Sequence, residues 1–216
     1  MKVMFNFFCA FLVVTGCYAQ SSDPAAKKIL DQASAKIKSY KSVQAIFTLQ
    51  VQDAQGASQG TKKGTFNMKG SKYVVIITGQ EIYSDGKTIW TYDKSANEVT
   101  ITKVDPTSST ISPQKLFTSF YDKDFLYKLN GEQKMGTKTV VEIEMTPIDK
   151  TQNFHKVYLY VDKKSNLVTS GKMLDKSGNR YIYTINSLNG NANLTDANFT
   201  FDKSKHLGVE EVNLTQ

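Results

Sequence analysis

Short runs in which apolar and polar residues alternate recur along most of this chain, and they restrict its fold more than any other feature. The clearest run spans residues 43–52, whose odd-numbered positions are Val43, Ala45, Phe47, Leu49 and Val51. Most of the even-numbered positions are polar. Because successive side chains of a β-strand point to opposite faces, this alternation predicts a strand with one buried face and one face toward water.

Further strand-like runs follow at short intervals and are separated by residues that favour turns. Asp85-Gly86 is the strongest turn signal, because a two-residue hairpin needs positive φ angles that this dipeptide adopts at little cost. Residues 53–60 are mostly small or polar and are predicted to form a long hairpin loop. Strands are predicted at 64–69, 72–78, 81–84, 87–92, 98–104, 126–133, 139–146, 155–162, 167–174 and 181–188, with a last pair at 199–201 and 209–214.

Two segments have the features of helices. Asp23 suits an N-cap, and Pro24 suits the first helical position, where its missing N–H is not needed. Apolar residues then recur at helical spacing, which predicts an amphipathic helix at 24–40. A second start signal, Ser112-Pro113, precedes a short predicted helix at 113–120, whose apolar residues are Leu116, Phe117 and Phe120.

These elements define a mostly β fold of the α+β class. About eleven strands are too many for a flat open sheet, which would curl, split or close. No internal repeat of fixed period is present, which argues against a solenoid or a propeller. We expect residues 20–216 to form a single domain, in which two small helices cover one curved sheet but do not fill it. Its concave face would keep an apolar cavity, and cavities of this kind bind lipids.

The start of the chain, residues 1–19, has the features of a secretory signal peptide. Lys2 precedes an apolar run at 3–14 that is too short to cross a bilayer, and small residues follow it. We favour cleavage after Ala19, which would release a soluble exported protein. The alternative is a bacterial lipobox that ends at Cys17, which would be acylated and held at a membrane. Both cysteines of the sequence belong to this leader or its edge, so no disulfide is predicted in the mature protein.

The basic excess does not indicate nucleic-acid binding. The formal net charge is +7, but the lysines are spread along the chain, and Arg180 is the only arginine. Proteins that bind nucleic acid usually concentrate Lys and Arg on one face and interleave them with stacking aromatic residues. We interpret the lysines as a solvated surface, with weak attraction to anionic membranes as the next possibility.

Motifs for catalysis are missing from the sequence. It has no Gly-x-Ser-x-Gly, no His-Glu-x-x-His and no phosphate-binding glycine loop. His155 lies in a predicted strand, and His206 lies in a predicted turn, where we expect it to be solvated. Glu142 and Glu144 share a strand face, which at this spacing usually indicates the solvent side of a sheet. We therefore predict a binding protein without catalytic residues, metal site or cofactor.

One hairpin and several shorter segments resemble a known protein family. Residues 84–93 read SDGKTIWTYD, and residues 97–101 read NEVTI. The supporting segments are SP at 112–113, MTP at 145–147, YLYVD at 158–162 and NFTF at 198–201. Together these segments resemble the outer-membrane lipoprotein carrier protein LolA family, in particular its forms from Bacteroidetes-like bacteria.

The resemblance implies an unclosed antiparallel β half-barrel of about eleven strands with a helical lid. It also implies a periplasmic carrier that takes acylated lipoproteins from an inner-membrane lipoprotein-releasing complex to an outer-membrane lipoprotein receptor. No cofactor, reaction or nucleic acid is implied, and we expect a monomer. Many family members carry an arginine just after the second strand, which is thought to latch the lid. Residues 68–72 read MKGSK here, so Lys69 or Lys72 would have to replace it without the bidentate geometry of arginine.

We expect acyl chains to lie between the concave face of the sheet and the two helices. The predicted lining consists of bulky apolar residues from the strands and the second helix, namely Phe66, Met68, Trp90, Tyr92, Leu116, Phe117, Phe120, Met145 and Met173. Two other functions fit the same fold, a carrier of free lipid or glycolipid and an envelope-sensor module. A form tethered to a membrane through Cys17 is a further alternative.

Overall fold

The computed structural model describes residues 22–105 and 121–215, and its main feature is one large β-sheet. Two α-helices are described, α1 (Pro24–Lys38) and α2 (Tyr121–Asp124), together with short 3-10 helices at Asp196–Phe199 and Lys203–Lys205. The twelve strands within these ranges are β1 (Val43–Gln52), β2 (Ser58–Lys69), β3 (Lys72–Ile77), β4 (Gln80–Ser84), β5 (Thr88–Asp93), β6 (Glu98–Lys103), β7 (Phe125–Met135), β8 (Lys138–Pro147), β9 (Phe154–Asp162), β10 (Val168–Asp175), β11 (Arg180–Gly190) and β12 (Glu210–Asn213).

The strands form a single unclosed sheet in the order β12-β6-β5-β4-β3-β2-β1-β11-β10-β9-β8-β7. Strands β12 and β7 are its two edges and do not pair with each other. Neighbouring strands are antiparallel except β12 and β6, which are parallel. The predicted mostly β, unclosed half-barrel is therefore confirmed.

The two faces of the sheet can be assigned from the pairing register, because directly opposed residues share a face. Ala45 of β1 lies opposite Phe66 on one side and Leu188 on the other, and all three contribute to the same core cluster. We call the face that contains these residues and lies against α1 the inner face. The end of the sheet where β1 ends and β2 begins is called its lower end.

Helix α1 begins as the sequence predicts. Asp23 is the N-cap, and its side chain accepts a hydrogen bond of 2.8 Å from the backbone N–H of Ala25. Pro24 is the first helical residue. The helix ends at Lys38, slightly before the predicted residue 40. The residues on its buried face are Ala26, Leu30, Ala33, Ser34 and Ile37.

Helix α1 crosses the inner face diagonally and joins two core clusters. Its first turns pack on strands β7, β8 and β9, where Leu30 shares a cluster with Phe125 and Met145. Its last turn reaches the upper ends of β1 to β3, where Ile37 packs with Val43. Complete burial of a large aliphatic side chain contributes about 1.5–3 kcal/mol, so these contacts fix the helix on the sheet.

The chain after β11 crosses the opposite, outer face of the sheet. We call residues 191–214 the C-terminal strap. The strap starts where the N–H of Asn191 donates to the carbonyl of Ser42 over 2.7 Å. Its Phe201 ring then lies 5.9 Å from the ring of Tyr83 and 5.5 Å from that of Tyr92. The strap ends as β12 beside β6, and it therefore covers the outer face of β4 to β6.

The end of the chain differs from the predicted last strand pair at 199–201 and 209–214. Phe199 ends a 3-10 helix, and the only strand of this region is β12. Strand β12 pairs with β6 in parallel, because the strap reaches the lower end of β6 and then runs upward beside it. The predicted strand at 199–201 is therefore wrong, whereas the strand predicted at 209–214 is present as β12, with β6 as its partner.

Strand β2 also differs from the sequence-based prediction. It begins at Ser58, so the predicted loop at 53–60 is reduced to residues 53–57. Gly60, with a φ of 135°, is accommodated within the strand. The predicted helix at 113–120 and the predicted leader at 1–19 lie outside the described residues.

Candidate functional site

Part of the inner face is left uncovered by α1 at the lower ends of the central strands. The side chains there are apolar but only half-buried, whereas those beneath α1 are buried. We call this region the lower inner face, and its residues are Leu49, Val51, Val75, Ile77, Ile82, Met173, Tyr181 and Tyr183. These neighbouring, half-buried apolar side chains offer a surface against which an apolar ligand can be removed from water.

Phe47 forms the upper boundary of the lower inner face. Its ring centroid lies 6.4 Å from that of Tyr183, and its edge covers Gly64. A Cβ atom at Gly64 would lie only 2.5 Å from Cζ of Phe47. The Phe47 ring can therefore occupy this position only because residue 64 has no side chain. Burial raises the pKa of the Tyr183 hydroxyl above its ordinary value, so this residue presents a neutral ring.

Four of the predicted lining residues lie on the inner face. Phe66, Met68 and Met145 are buried in the core, with exposed fractions of 2%, 6% and 0%. They support the floor of the site and have little surface left for a ligand. Met173 is half-buried and belongs to the lower inner face. Direct contact of these four residues with an acyl chain remains a prediction.

Trp90 and Tyr92 lie on the outer face of the sheet. Ile82 of the inner face is opposite Thr91, so the two neighbours of Thr91 must point the other way. Both rings belong to a cluster with Val209 of the C-terminal strap. The structure therefore places Trp90 and Tyr92 on the opposite face from Phe66, Met68, Met145 and Met173.

The remaining predicted lining residues, Leu116, Phe117 and Phe120, lie outside the described residues. Sequence reasoning did not single out most of the lower inner face, in particular Leu49, Val51, Val75, Ile77 and Ile82. The alternation in residues 43–52 already put Leu49 and Val51 on the buried face of their strand. The missing information was which part of that face the helix would leave uncovered.

Lys69 and Lys72, the two candidates for a latch, both contact the C-terminal strap. Their ammonium groups lie 3.3 and 2.8 Å from the carboxylate of Asp196. Lys69 also donates to the carbonyl of Leu194 over 3.3 Å. These contacts fasten the strap to the turn between β2 and β3.

A buried carboxylate holds the middle of the strap. Glu81 of β4 accepts a 2.6 Å hydrogen bond from the hydroxyl of Tyr83 and forms a 2.7 Å ion pair with Lys94. Nε2 of His206 lies 3.6 Å from the same carboxylate. The imidazole ring packs between Tyr92 and Phe201, and its side chain is only 14% exposed. The expectation that His206 is solvated is therefore wrong, because the strap folds this turn back onto the outer face.

The pKa of Glu81 gives this cluster a dependence on pH. Burial raises that pKa, but Lys94, Tyr83 and His206 outweigh the burial and hold it below the ordinary value of 4.5. A carboxylate with a lowered pKa stabilises the fold above the pKa of the unfolded chain, and the stabilisation is lost as the pH falls through the folded value.

We expect Glu81→Gln to lower the free energy of unfolding at pH 7 by about 1–2 kcal/mol, because charged hydrogen bonds are lost. The difference from the wild type should shrink as the pH falls below 4.5, the ordinary pKa of this group. Urea denaturation between pH 3 and pH 7 measures this difference in the free energy of unfolding. Glu210→Gln, at an exposed position of β12, is the control and should change little. A difference that is independent of pH would contradict this account of the cluster.

The paired carboxylates Glu142 and Glu144 form a hydrogen-bonded network on the outer face. The side-chain amide of Asn130 donates to both, over 2.8 and 3.2 Å. Gln133 donates to Glu142 over 3.0 Å, and Lys156 pairs with Glu144. The carboxylates are occupied by structural partners, as expected for the polar side of a sheet.

A small pocket lies between the start of β7 and the turn after β8. It has a volume of about 120 Å³ and is lined in part by Phe125, Ile148 and Phe154. Ligand pockets for drug-sized molecules usually measure about 300–1,000 Å³. This pocket is therefore too small to enclose an acyl chain, and the lower inner face remains the better candidate.

Metal-ligating side chains and long apolar helices are the two remaining features that bear on the kind of site. Within residues 22–105 and 121–215, no three His, Cys, Asp or Glu side chains come together in a way that would hold a metal ion. No helix in the same ranges is both long and apolar enough to cross a membrane.

The fold and the site define a class of protein, the unclosed half-barrels that keep one apolar face partly open beside a helix. Comparison with known proteins identifies the family. The family model described as Outer membrane lipoprotein carrier protein LolA matches residues 38–202, and the chain belongs to this family. Its members are carriers and not enzymes, so the prediction of a non-enzymatic binding protein is confirmed.

Curated relatives match almost the whole chain. The outer-membrane lipoprotein carrier protein of Cupriavidus necator is 28% identical over 210 residues, which cover 92% of this chain and 97% of the relative. That of Chromobacterium violaceum is 26% identical over 216 residues, which cover 97% and 98%. An uncharacterized conserved protein from Thermus thermophilus has a TM-score of 0.60 at 16% identity, covers 88% of this chain and 99% of its own, and supports the fold alone.

Proposed function

We propose that this protein is a periplasmic carrier, which holds the acyl chains of lipoproteins against its lower inner face and moves them from the inner to the outer membrane. The observation that carries the proposal is the patch of half-buried apolar side chains beside α1. Family membership supports lipoproteins as the cargo. An inner-membrane releasing complex would load the protein, and an outer-membrane receptor would unload it.

Burial of hydrocarbon provides the driving force for loading. Each methylene removed from water contributes about 0.8 kcal/mol, so a chain of about 15 methylenes gains roughly 12 kcal/mol before costs are subtracted. Ordering of the chain and incomplete coverage reduce this gain. An open, half-buried surface therefore suits a carrier that must release its cargo as well as bind it.

A brominated acyl chain tests the site directly, because bromine quenches only those indoles that it contacts. Trp90 is the only tryptophan of the chain, and it lies on the outer face. We expect 9,10-dibromostearate to leave the fluorescence of the wild type nearly unchanged. The double variant Ile77→Trp, Trp90→Phe moves the indole to the lower inner face, and its fluorescence should be strongly quenched.

The two proteins serve as controls for each other, since they differ mainly in the face that carries the indole. Circular dichroism checks that the double variant is folded. Quenching of Trp90 equal to that of the indole at position 77 would contradict binding at the lower inner face. Absence of quenching in the folded double variant would contradict it as well.

Mass spectrometry of protein isolated from its own cell envelope tests the cargo and the anchoring. Co-purified acylated lipoproteins support the carrier, whereas free lipid or glycolipid alone would favour the alternative binder of the same fold. A free amino terminus at Gln20 supports a soluble periplasmic protein. An acylated Cys17 would favour the tethered form.

A further inference from the structure

Lysines are concentrated at the upper end of the sheet, which is the end opposite to the lower inner face. Because most neighbouring strands are antiparallel, the connections between them lie alternately at the two ends. We call the segments at these ends the upper rim and the lower rim. The upper rim consists of residues 36–42, 69–72, 85–87, 103–105, 134–138, 162–166 and 190–196. The lower rim consists of residues 53–57, 78–80, 93–98, 121–125, 147–154, 175–180 and 202–210.

The two rims differ in charge. The upper rim carries eleven lysines and four acidic residues, whereas the lower rim carries seven basic and nine acidic residues. The positive excess on the upper rim is as large as the formal net charge of the whole sequence, which is +7. The lysines that are dispersed along the sequence are therefore gathered at one end of the described fold.

Most of the upper-rim lysines can reach a partner. Lys36 and Lys72 are half-buried, and the other nine are exposed. Of the acidic residues of the rim, Asp196 pairs with Lys69 and Lys72. Asp162 is buried, and its carboxylate accepts hydrogen bonds within its own turn. The rim therefore keeps an exposed positive excess, and the fields of its neighbouring lysines add together.

The shape and the residues of the upper rim indicate the kind of partner. Seven separate segments contribute to it, so the charge is spread over a broad rim and not confined to a groove. Tyr40 is the only aromatic residue of the rim. Its ring lies against Gly190, and the ammonium group of Lys36 is 5.2 Å from the ring centroid. Nucleic-acid binding surfaces interleave basic residues with accessible stacking rings, whereas an anionic bilayer requires the positive charges alone.

We propose that the upper rim binds the surface of membranes that contain anionic phospholipids. The lysines attract such a surface within about one Debye length, which is about 8 Å at physiological ionic strength. This contact goes beyond the proposed function, because it uses the other end of the sheet and no acyl chain. A protein docked in this way turns its lower inner face away from the bilayer, where a second protein can reach it.

Two variants with the same change in net charge test the proposal. Each replaces four exposed lysines by glutamine, and circular dichroism checks that both are folded. The upper-rim variant carries Lys41→Gln, Lys87→Gln, Lys138→Gln and Lys164→Gln. The lower-rim variant carries Lys123→Gln, Lys176→Gln, Lys203→Gln and Lys205→Gln. Cosedimentation with vesicles of phosphatidylcholine and phosphatidylglycerol measures binding, and vesicles of phosphatidylcholine alone provide the neutral surface.

We expect the wild type to bind the anionic vesicles at low salt and not the neutral ones, and high salt should release it. Each lysine near an anionic surface strengthens binding by up to about five-fold, so the upper-rim variant should bind about ten-fold more weakly or less. The lower-rim variant should bind nearly as tightly as the wild type, because its substitutions lie at the other end of the sheet.

Equal losses in the two variants would overturn the proposal, because net charge alone would then explain the binding. Absence of wild-type binding to the anionic vesicles would overturn it as well. Wild-type binding to polyglutamate but not to these vesicles would overturn it in favour of an acidic protein partner. Dibromostearate should bind equally to the wild type and to the upper-rim variant, so failure of this proposal and failure of the proposed function are distinguishable.

Discussion

Replacement of Leu49 by aspartate is expected to lower the affinity for acyl ligands by about a hundred-fold. Leu49 lies in the centre of the lower inner face, between Lys62 on β2 and Tyr183 on β11. An acyl chain that covers the introduced carboxylate removes it from water, which costs several kcal/mol even when Lys62 pairs with it. A loss of about 2.7 kcal/mol already corresponds to a hundred-fold change in Kd.

Gln50→Asp is the matched control for this substitution. Gln50 is the next residue of β1, is also partly buried and points to the outer face. The Gln50→Asp substitution introduces the same carboxylate into the same strand but on the outer face, so we expect an affinity for acyl ligands close to that of the wild type. The affinity of both variants for dibromostearate is measured by its displacement of a bound fluorescent fatty acid. Equal affinities of the folded Leu49→Asp and Gln50→Asp proteins would contradict the proposed site.

The second large effect concerns stability and the glycine beneath Phe47. Gly64→Ala is expected to lower the free energy of unfolding by about 2 kcal/mol, a typical cost of overpacking. The added Cβ would lie 2.5 Å from Cζ of Phe47 and 2.8 Å from the carbonyl oxygen of Ile76. The ring can shift, but the backbone oxygen belongs to the sheet and cannot move without disturbing it. Urea denaturation measures the change.

Gly171→Ala separates this steric effect from the general effect of a glycine substitution. Gly171 is also an inner-face glycine within a strand. A Cβ atom added there would lie 3.5 Å from Cδ2 of Leu159, which is an ordinary van der Waals distance. Replacement of a compatible glycine reduces the entropy of the unfolded chain and stabilises by about 0.4–1 kcal/mol. We therefore expect Gly171→Ala to be neutral or slightly stabilising. A similar loss in both variants would contradict the close contact at Gly64.

The local features of this fold could be predicted from the sequence because each depends on neighbouring residues. Asp23 and Pro24 determine the start of α1. A turn forms at Asp85-Gly86 as predicted, but it spans residues 85–87, and of this pair Gly86 alone has a positive φ, so it is not the predicted two-residue turn. The alternation of apolar and polar residues likewise predicted most of the strands and the mostly β class of the fold. The start of strand β2 at Ser58 was not predicted, because residues 58–63 are polar or glycine and show no apolar alternation, although they pair with β1.

The location of the candidate site could not be predicted in the same way, because it depends on contacts between distant segments. Alternation shows that Trp90 and Ile89 face opposite sides, but it does not show which side will be covered by α1. Trp90 looked like a ligand-binding residue because it is large and apolar. The C-terminal strap, which is distant in sequence, makes it part of a separate core on the outer face.

The parallel pairing of β12 was equally beyond local reasoning. The sequence at 209–214 has the character of a strand, but its partner is β6, more than a hundred residues earlier. His206 was misjudged for the same reason. A histidine before Leu207-Gly208 is typical of a surface turn, but the folded strap places its ring between Tyr92 and Phe201.

Helix α1 is anchored at both of its ends, and this has a mechanical consequence for access to the site. At its beginning, the N–H of Asp23 donates to the carbonyl of Tyr127, and its side chain accepts from the N–H of Leu129. Just beyond its end, the N–H of Lys41 donates to the side chain of Asn191. A helix held at both ends cannot rotate away from the sheet about one end. We therefore expect an acyl ligand to enter along the uncovered lower edge of the sheet while α1 keeps its position.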